Sequence, residues 1–86
     1  PGRVRRQNAS QLRANVKQCE KLMMTLANEK DGITAEMAKP GFYDGNNADA
    51  IARLSSQLAK IDKSLAEAEQ AWLAAEESLS EAEANS

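Results

Sequence analysis

The stretch MAKPGFYDGNNAD, residues 37–49, decides the fold. It holds Pro40, the one proline away from the amino end, together with Gly41 and Gly45 of the four glycines and Phe42 and Tyr43 of the three aromatic residues. Pro40 pushes the residue before it out of the α region, so a helix arriving from the amino side ends near Lys39. Gly41 is able to adopt the left-handed conformation that closes a helix. Asn46 and Asn47 then offer an N-cap, and Asp49 a first-turn acid, to a second helix. The reading is a loop over about 40–47 between two helices.

Working outward, positions 9, 12, 16, 19, 23, 26, 30, 33 and 37 read Ala, Leu, Val, Cys, Met, Leu, Lys, Ile and Met. Positions 51, 54, 58, 61, 65, 68, 72, 75, 79 and 82 read Ile, Leu, Leu, Ile, Leu, Ala, Trp, Ala, Leu and Ala. Both ladders alternate steps of three and four without a stutter, which is the signature of coiled-coil a and d positions. The fold class predicted is all-α: a two-helix antiparallel coiled-coil hairpin with a Pro/aromatic loop at its tip. The helices run over about 8–39 and 48–83, within a hairpin over 8–86. Asn8 with Gln11 gives the start signal, and residues 1–7 read as a basic linker. Asp31-Gly32 is a soft point, since glycine costs about 1 kcal/mol inside a helix, but the ladder keeps phase across it.

A short connection makes the two helices antiparallel neighbours. One register sets Cys19 against Trp72, Met23 against Ala68 and Leu26 against Leu65, matching large to small. A slip of one heptad sets Leu12 against Trp72 instead, and periodicity alone leaves it open. In the first register Arg13 falls opposite Glu76 and Arg6 opposite Glu83, while Glu20 faces Glu69 unfavourably. Lys30 is the one charge in a seam position, where such residues fix register at a cost in stability. Phe42 and Tyr43 are expected to lid the seam at the closed end. Leu22, Met24 and Leu73 fall outside the seam, which suggests contact with another domain or a second hairpin.

Composition narrows the function. Eighty-six residues suffice for one small domain. A single cysteine, Cys19, makes no internal disulfide, and the absence of histidine excludes Ser-His and Cys-His catalytic pairs and argues against a zinc site. No phosphate-binding glycine loop is present. No apolar run approaches the ~20 residues of a membrane span, and no signal-peptide pattern opens the chain, so the expectation is a cytoplasmic protein without membrane contact. Glu67, Glu69, Glu76, Glu77, Glu81 and Glu83 read as a solvated helix face. No catalytic, cofactor or metal residue is expected in this chain.

The net charge of −2 conceals a split: residues 1–41 carry eight basic and four acidic side chains, residues 42–86 three and nine. Arg3, Arg5 and Arg6 cluster at the start. Arg13, Lys17 and Lys21 follow at i, i+4 and i+8, a stripe on one face of the first helix. Such a stripe can contact phosphates, and contacts of that kind are salt-dependent and independent of sequence. These six are the candidate nucleic-acid-binding residues, against the simpler reading that Arg6 and Arg13 are neutralised by Glu83 and Glu76 while the rest keep the face soluble.

"AKPGFY" (residues 38–43) followed by "LSSQLAKIDKSLAEAEQAWLAAEESL" (residues 54–79) resembles the C-terminal domain of ABC-F ATP-binding proteins of the Uup type. The resemblance rests on Pro40, Phe42 and Tyr43, on Leu54, Leu58 and Leu65, and on Trp72, Leu73, Glu76 and Glu77. Residues 7–37 match as a coiled-coil arm. The resemblance implies a non-catalytic appendage of a cytoplasmic ATPase. It would act on or near the ribosome, contact DNA or ribosomal RNA, and have the ATP-binding domains of its parent chain as further partners. Alternatives are a protein-protein or oligomerisation hairpin, and the tRNA-contacting arm of an aminoacyl-tRNA synthetase, since the arm of valyl-tRNA synthetases is also an antiparallel coiled coil with an aromatic loop.

Overall fold

The computed structural model describes residues 2–84, and the side chains of residues 9–84. The described residues form two helices: α1, Gly2–Met37, and α2, Ala48–Ala84. α1 therefore begins inside the segment read as a linker. It stops two residues before the expected end, because Pro40 removes the option of continuing and the chain turns ahead of it. Gly32 does not interrupt α1, which runs through it as one helix, with the Thr34 hydroxyl donating back to the Asp31 carbonyl at 3.1 Å.

Every position of the two ladders is buried or half-buried. Outside them, only Asn15, Ala50 and Glu76 among the described helical side chains are less than exposed. Period-3.5 spacing keeps those side chains on one seam for the whole length of both helices. The result is a rod with principal extents of 66 × 15 × 14 Å. Its core is thin. Among the described residues Ala9, Val16, Phe42 and Ala68 are the buried apolar ones, and none of the large side chains there is sealed completely.

Three contacts across the rod set direction and register. Arg13 reaches Glu83, Glu20 reaches Trp72, and Lys30 reaches Asp62. Numbers rise on α1 as they fall on α2, so the helices are antiparallel. Trp72 lies beside the neighbour of Cys19, and Leu12 shares a groove with Ala75 and Ser78. The register that sets Cys19 against Trp72 is therefore the one adopted, and the one-heptad slip is not.

Lys30 escapes its seam position by extending its amine to Asp62 Oδ1 at 2.8 Å. The hydrogen bond and the charge of Asp62 raise the lysine pKa above its ordinary 10.5.

The loop over 38–47 is held by hydrogen bonds at each step. The Phe42 amide donates to the Lys39 carbonyl at 3.1 Å, spanning Pro40 and Gly41, and Gly41 has φ +82°. Proline at the second position and a positive-φ glycine at the third are what a type II turn demands. The Asp44 amide then donates to the Gly41 carbonyl at 3.1 Å, and Gly45 has φ +73°. Asn47 closes the loop: its side-chain amide donates to the Phe42 carbonyl at 2.7 Å, while its own carbonyl accepts the Ile51 amide at 2.8 Å, the first bond of α2. Asp49 supplies the acid of the first turn.

The two adjacent rings do different things. Phe42 is 9% exposed and covers the closed end of the seam, as expected. Tyr43 is 64% exposed and lines an open groove beside Met37 and Leu58, so it borders the closed end without sealing it. The rings meet edge to face, with centroids 5.1 Å apart and planes at 88°. The two rings stay in contact, one buried beneath the turn and the other packed edge-on against it and open to solvent.

Candidate nucleic-acid interface

α1 carries the candidate stripe. Four residues of helix rise about 6 Å, so Arg13, Lys17 and Lys21 step along the rod at intervals of that size. All three are exposed. Arg3, Arg5 and Arg6 lie outside the residues whose side chains are described, as does the pairing of Arg6 with Glu83 expected from the sequence.

Arg13 does not meet Glu76. Its Nη1 lies 3.8 Å from Glu83 Oε2, one heptad nearer the carboxyl end. The reason is the direction of the Cα–Cβ bonds, which tilt toward each helix's own amino terminus. On antiparallel helices, Arg13 and Glu83 lean toward one another and Arg13 and Glu76 lean apart. Both partners stay more than half exposed, and pairs of this kind contribute under ~1 kcal/mol. The guanidinium therefore leaves Glu83 for a phosphate at little cost.

Lys17 and Lys21 have no ion pair or hydrogen bond with any other described residue. They are cations in water, four residues apart on one helix. Glu20, their neighbour, is occupied by the Trp72 indole, whose Nε1–H donates to Glu20 Oε2 at 3.2 Å. Glu20, expected to face Glu69 unfavourably, turns its carboxylate to the indole. A half-buried indole needs an acceptor, and this one is within reach.

The carboxylates of α2 are solvated. Glu67, Glu69, Glu77, Glu81 and Glu83 are exposed, and Glu76 is half-buried. Among the described residues no group of His, Cys, Asp and Glu side chains is placed to hold a metal ion. No helix among them is long and apolar enough to cross a membrane.

Sequence reasoning missed one partnership that matters to the stripe, Arg13 with Glu83. The signal was the tilt of side chains toward the helix amino termini, which heptad letters do not carry. It also missed a groove on the other side of the rod, floored by Gly32 and lined by Ile33, Leu54, Gln57, Lys60 and Glu29.

No curated protein and no solved structure matches the chain. The family model described as the ABC transporter C-terminal domain matches residues 9–83, both seams and the loop between them, and the chain belongs to that family.

Proposed function

We propose that this domain is the non-catalytic C-terminal appendage of an ABC-F ATPase of the Uup type, contacting nucleic acid through the basic face of α1. Membership of the ABC transporter C-terminal domain family supports the appendage. The ABC-F assignment rests on the resemblance carried by Pro40, Phe42, Tyr43, Trp72 and Leu73. A parent chain with two ATP-binding domains, a cytoplasmic setting and work on or near the ribosome follow from it.

The observation that carries the nucleic-acid reading is the state of Lys17 and Lys21. They are exposed, adjacent on one face, and unpaired among the described residues, with Arg13 next to them in a weak surface pair. A cation already neutralised within the fold has little to offer a phosphate; these are not neutralised. Duplex DNA or ribosomal RNA would be held by its backbone, without sequence preference and with marked salt dependence.

Fluorescence anisotropy with labelled duplex DNA and an RNA hairpin, at low and moderate salt, tests the reading. The chain should bind at low salt, and the triple substitution Arg13→Glu, Lys17→Glu, Lys21→Glu should abolish binding while helicity is kept. Absence of binding at low salt, or binding indifferent to the triple change, removes the proposal.

A further inference from the structure

One long side of the rod has apolar surface without a partner. Leu22, Glu29 and Glu36 recur every seven residues, so they share one side of α1. Glu29 and Glu36 line an open groove of about 540 Å³ together with Gly32, Leu54 and Lys60. Leu22, half exposed, therefore projects from the same side, about three turns before Gly32. Gly32 has no side chain to fill the groove, and a Cβ placed there would meet nothing within 4 Å. On α2, Lys60 and Glu67 are also seven apart, so both point to this side. Neither has an ion pair among the described residues.

These features form two pairs with a common centre. Leu22 and Gly32 are centred on Ala27 of α1. Lys60 and Glu67 are centred between Lys63 and Ser64 of α2. The contacts of Glu20 with Trp72 and Lys30 with Asp62 bring those two centres to nearly the same height on the rod, within two residues. A single two-fold axis through that height, perpendicular to the rod, superposes Leu22 on Gly32 and Lys60 on Glu67 at once.

We propose that a second copy of this chain covers this side as an isologous, antiparallel partner, Leu22 of each copy entering the groove at the partner's Gly32 and Lys60 of each meeting the partner's Glu67. The contact is self-complementary, as a two-fold interface must be. It puts a projecting leucine over a residue without a side chain, and a cation against an anion, twice each. Glu29 comes opposite the partner's Thr25 rather than another carboxylate. The stripe of Arg13, Lys17 and Lys21 does not line this groove, so pairing does not depend on the nucleic-acid reading and does not compete with it.

Sedimentation velocity of the 86-residue chain over a wide concentration range is the primary test, with circular dichroism to confirm helicity. The chain should sediment as a dimer at high concentration. Gly32→Leu, which fills the groove with a better helix former, should weaken dimerisation at least tenfold. Lys60→Glu and Glu67→Lys should each weaken it, and the double swap Lys60→Glu/Glu67→Lys should restore it. Ser64, nearest the axis, gives a positional readout: with Cys19→Ala, the variant Ser64→Cys should form an intermolecular disulfide on mild oxidation, and Ala27→Cys should not. A monomer at every concentration overturns the proposal. So does a dimer indifferent to Gly32→Leu, or one cross-linked through Ala27→Cys instead. If the monomer's nucleic-acid binding is what Gly32→Leu weakens, the side belongs to nucleic acid and the proposal also fails.

Discussion

The indole N–H of Trp72 and the carboxylate of Glu20 are joined across the hairpin at 3.2 Å. Glu20 directly follows Cys19, the residue set against Trp72, so the bond reports the register as well as satisfying the indole. Glu20→Ala removes the acceptor and leaves a half-buried donor, which should cost about 1 kcal/mol in urea unfolding. Glu20→Gln keeps an acceptor at the same reach and should cost less. Trp72 is the only tryptophan, so its fluorescence follows the same transition without a label. Equal losses for the two variants would mean that the bond is not formed in solution.

Lys30 provides a pH-dependent contribution. Its folded pKa lies above 10.5 because Asp62 holds the ammonium form. The protonated state is therefore favoured by folding. The stabilisation is fully present below the unfolded pKa near 10.5 and is lost as pH rises through the folded value. Wild type and Lys30→Met compared from neutral pH to above about 11 should show a stability difference that is flat through neutrality and shifts against the wild type only at the alkaline end. A difference that changes between about pH 6 and 9 would assign the effect to another group.

The tip residues should separate cleanly. Phe42→Ala empties the cap of the seam and should cost about 3 kcal/mol, the lower end for truncating a buried phenylalanine. Tyr43→Ala removes an exposed ring and should stay within ~0.5 kcal/mol. Gly41→Ala forces a Cβ onto a residue at φ +82° and should cost on the order of 1 kcal/mol, although no atom stands in the way. Thermal melts of the three variants check the order. A Tyr43→Ala loss as large as that of Phe42→Ala would show that the tyrosine, too, belongs to the lid.

These outcomes divide along the line between what periodicity encodes and what it does not. Steps of three and four put every ladder residue on the seam, and Pro40 with Gly41 placed the turn, because burial on a rod depends only on angular position and on where the backbone must break. The preference for Trp72 against Cys19 over Leu12 was a volume argument, and the cross-helix contacts agree with it. The partner of Arg13 was out of reach, since it depends on side-chain tilt. So was the unequal burial of Phe42 and Tyr43, which is set by the local geometry of the turn. Within the candidate interface, the stripe was visible in the spacing of Arg13, Lys17 and Lys21. That Lys17 and Lys21 stand unpaired while Arg13 is lightly engaged needed coordinates.

That difference among the three cations makes the binding prediction specific. Removing a cation that holds one phosphate should lower the slope of log affinity against log salt by about 0.9 on duplex DNA. Lys17→Gln and Lys21→Gln should each reduce the slope by nearly that amount and weaken binding evenly across sequences. Arg13 must first give up Glu83, so Glu83→Gln should strengthen binding slightly at low salt, and Arg13→Gln should weaken it less than either lysine change. Anisotropy titrations at several salt concentrations distinguish these slopes. If Arg13→Gln proves the most damaging of the three, the arginine is the anchor and the lysines are peripheral, which reverses the ranking that their pairing implies.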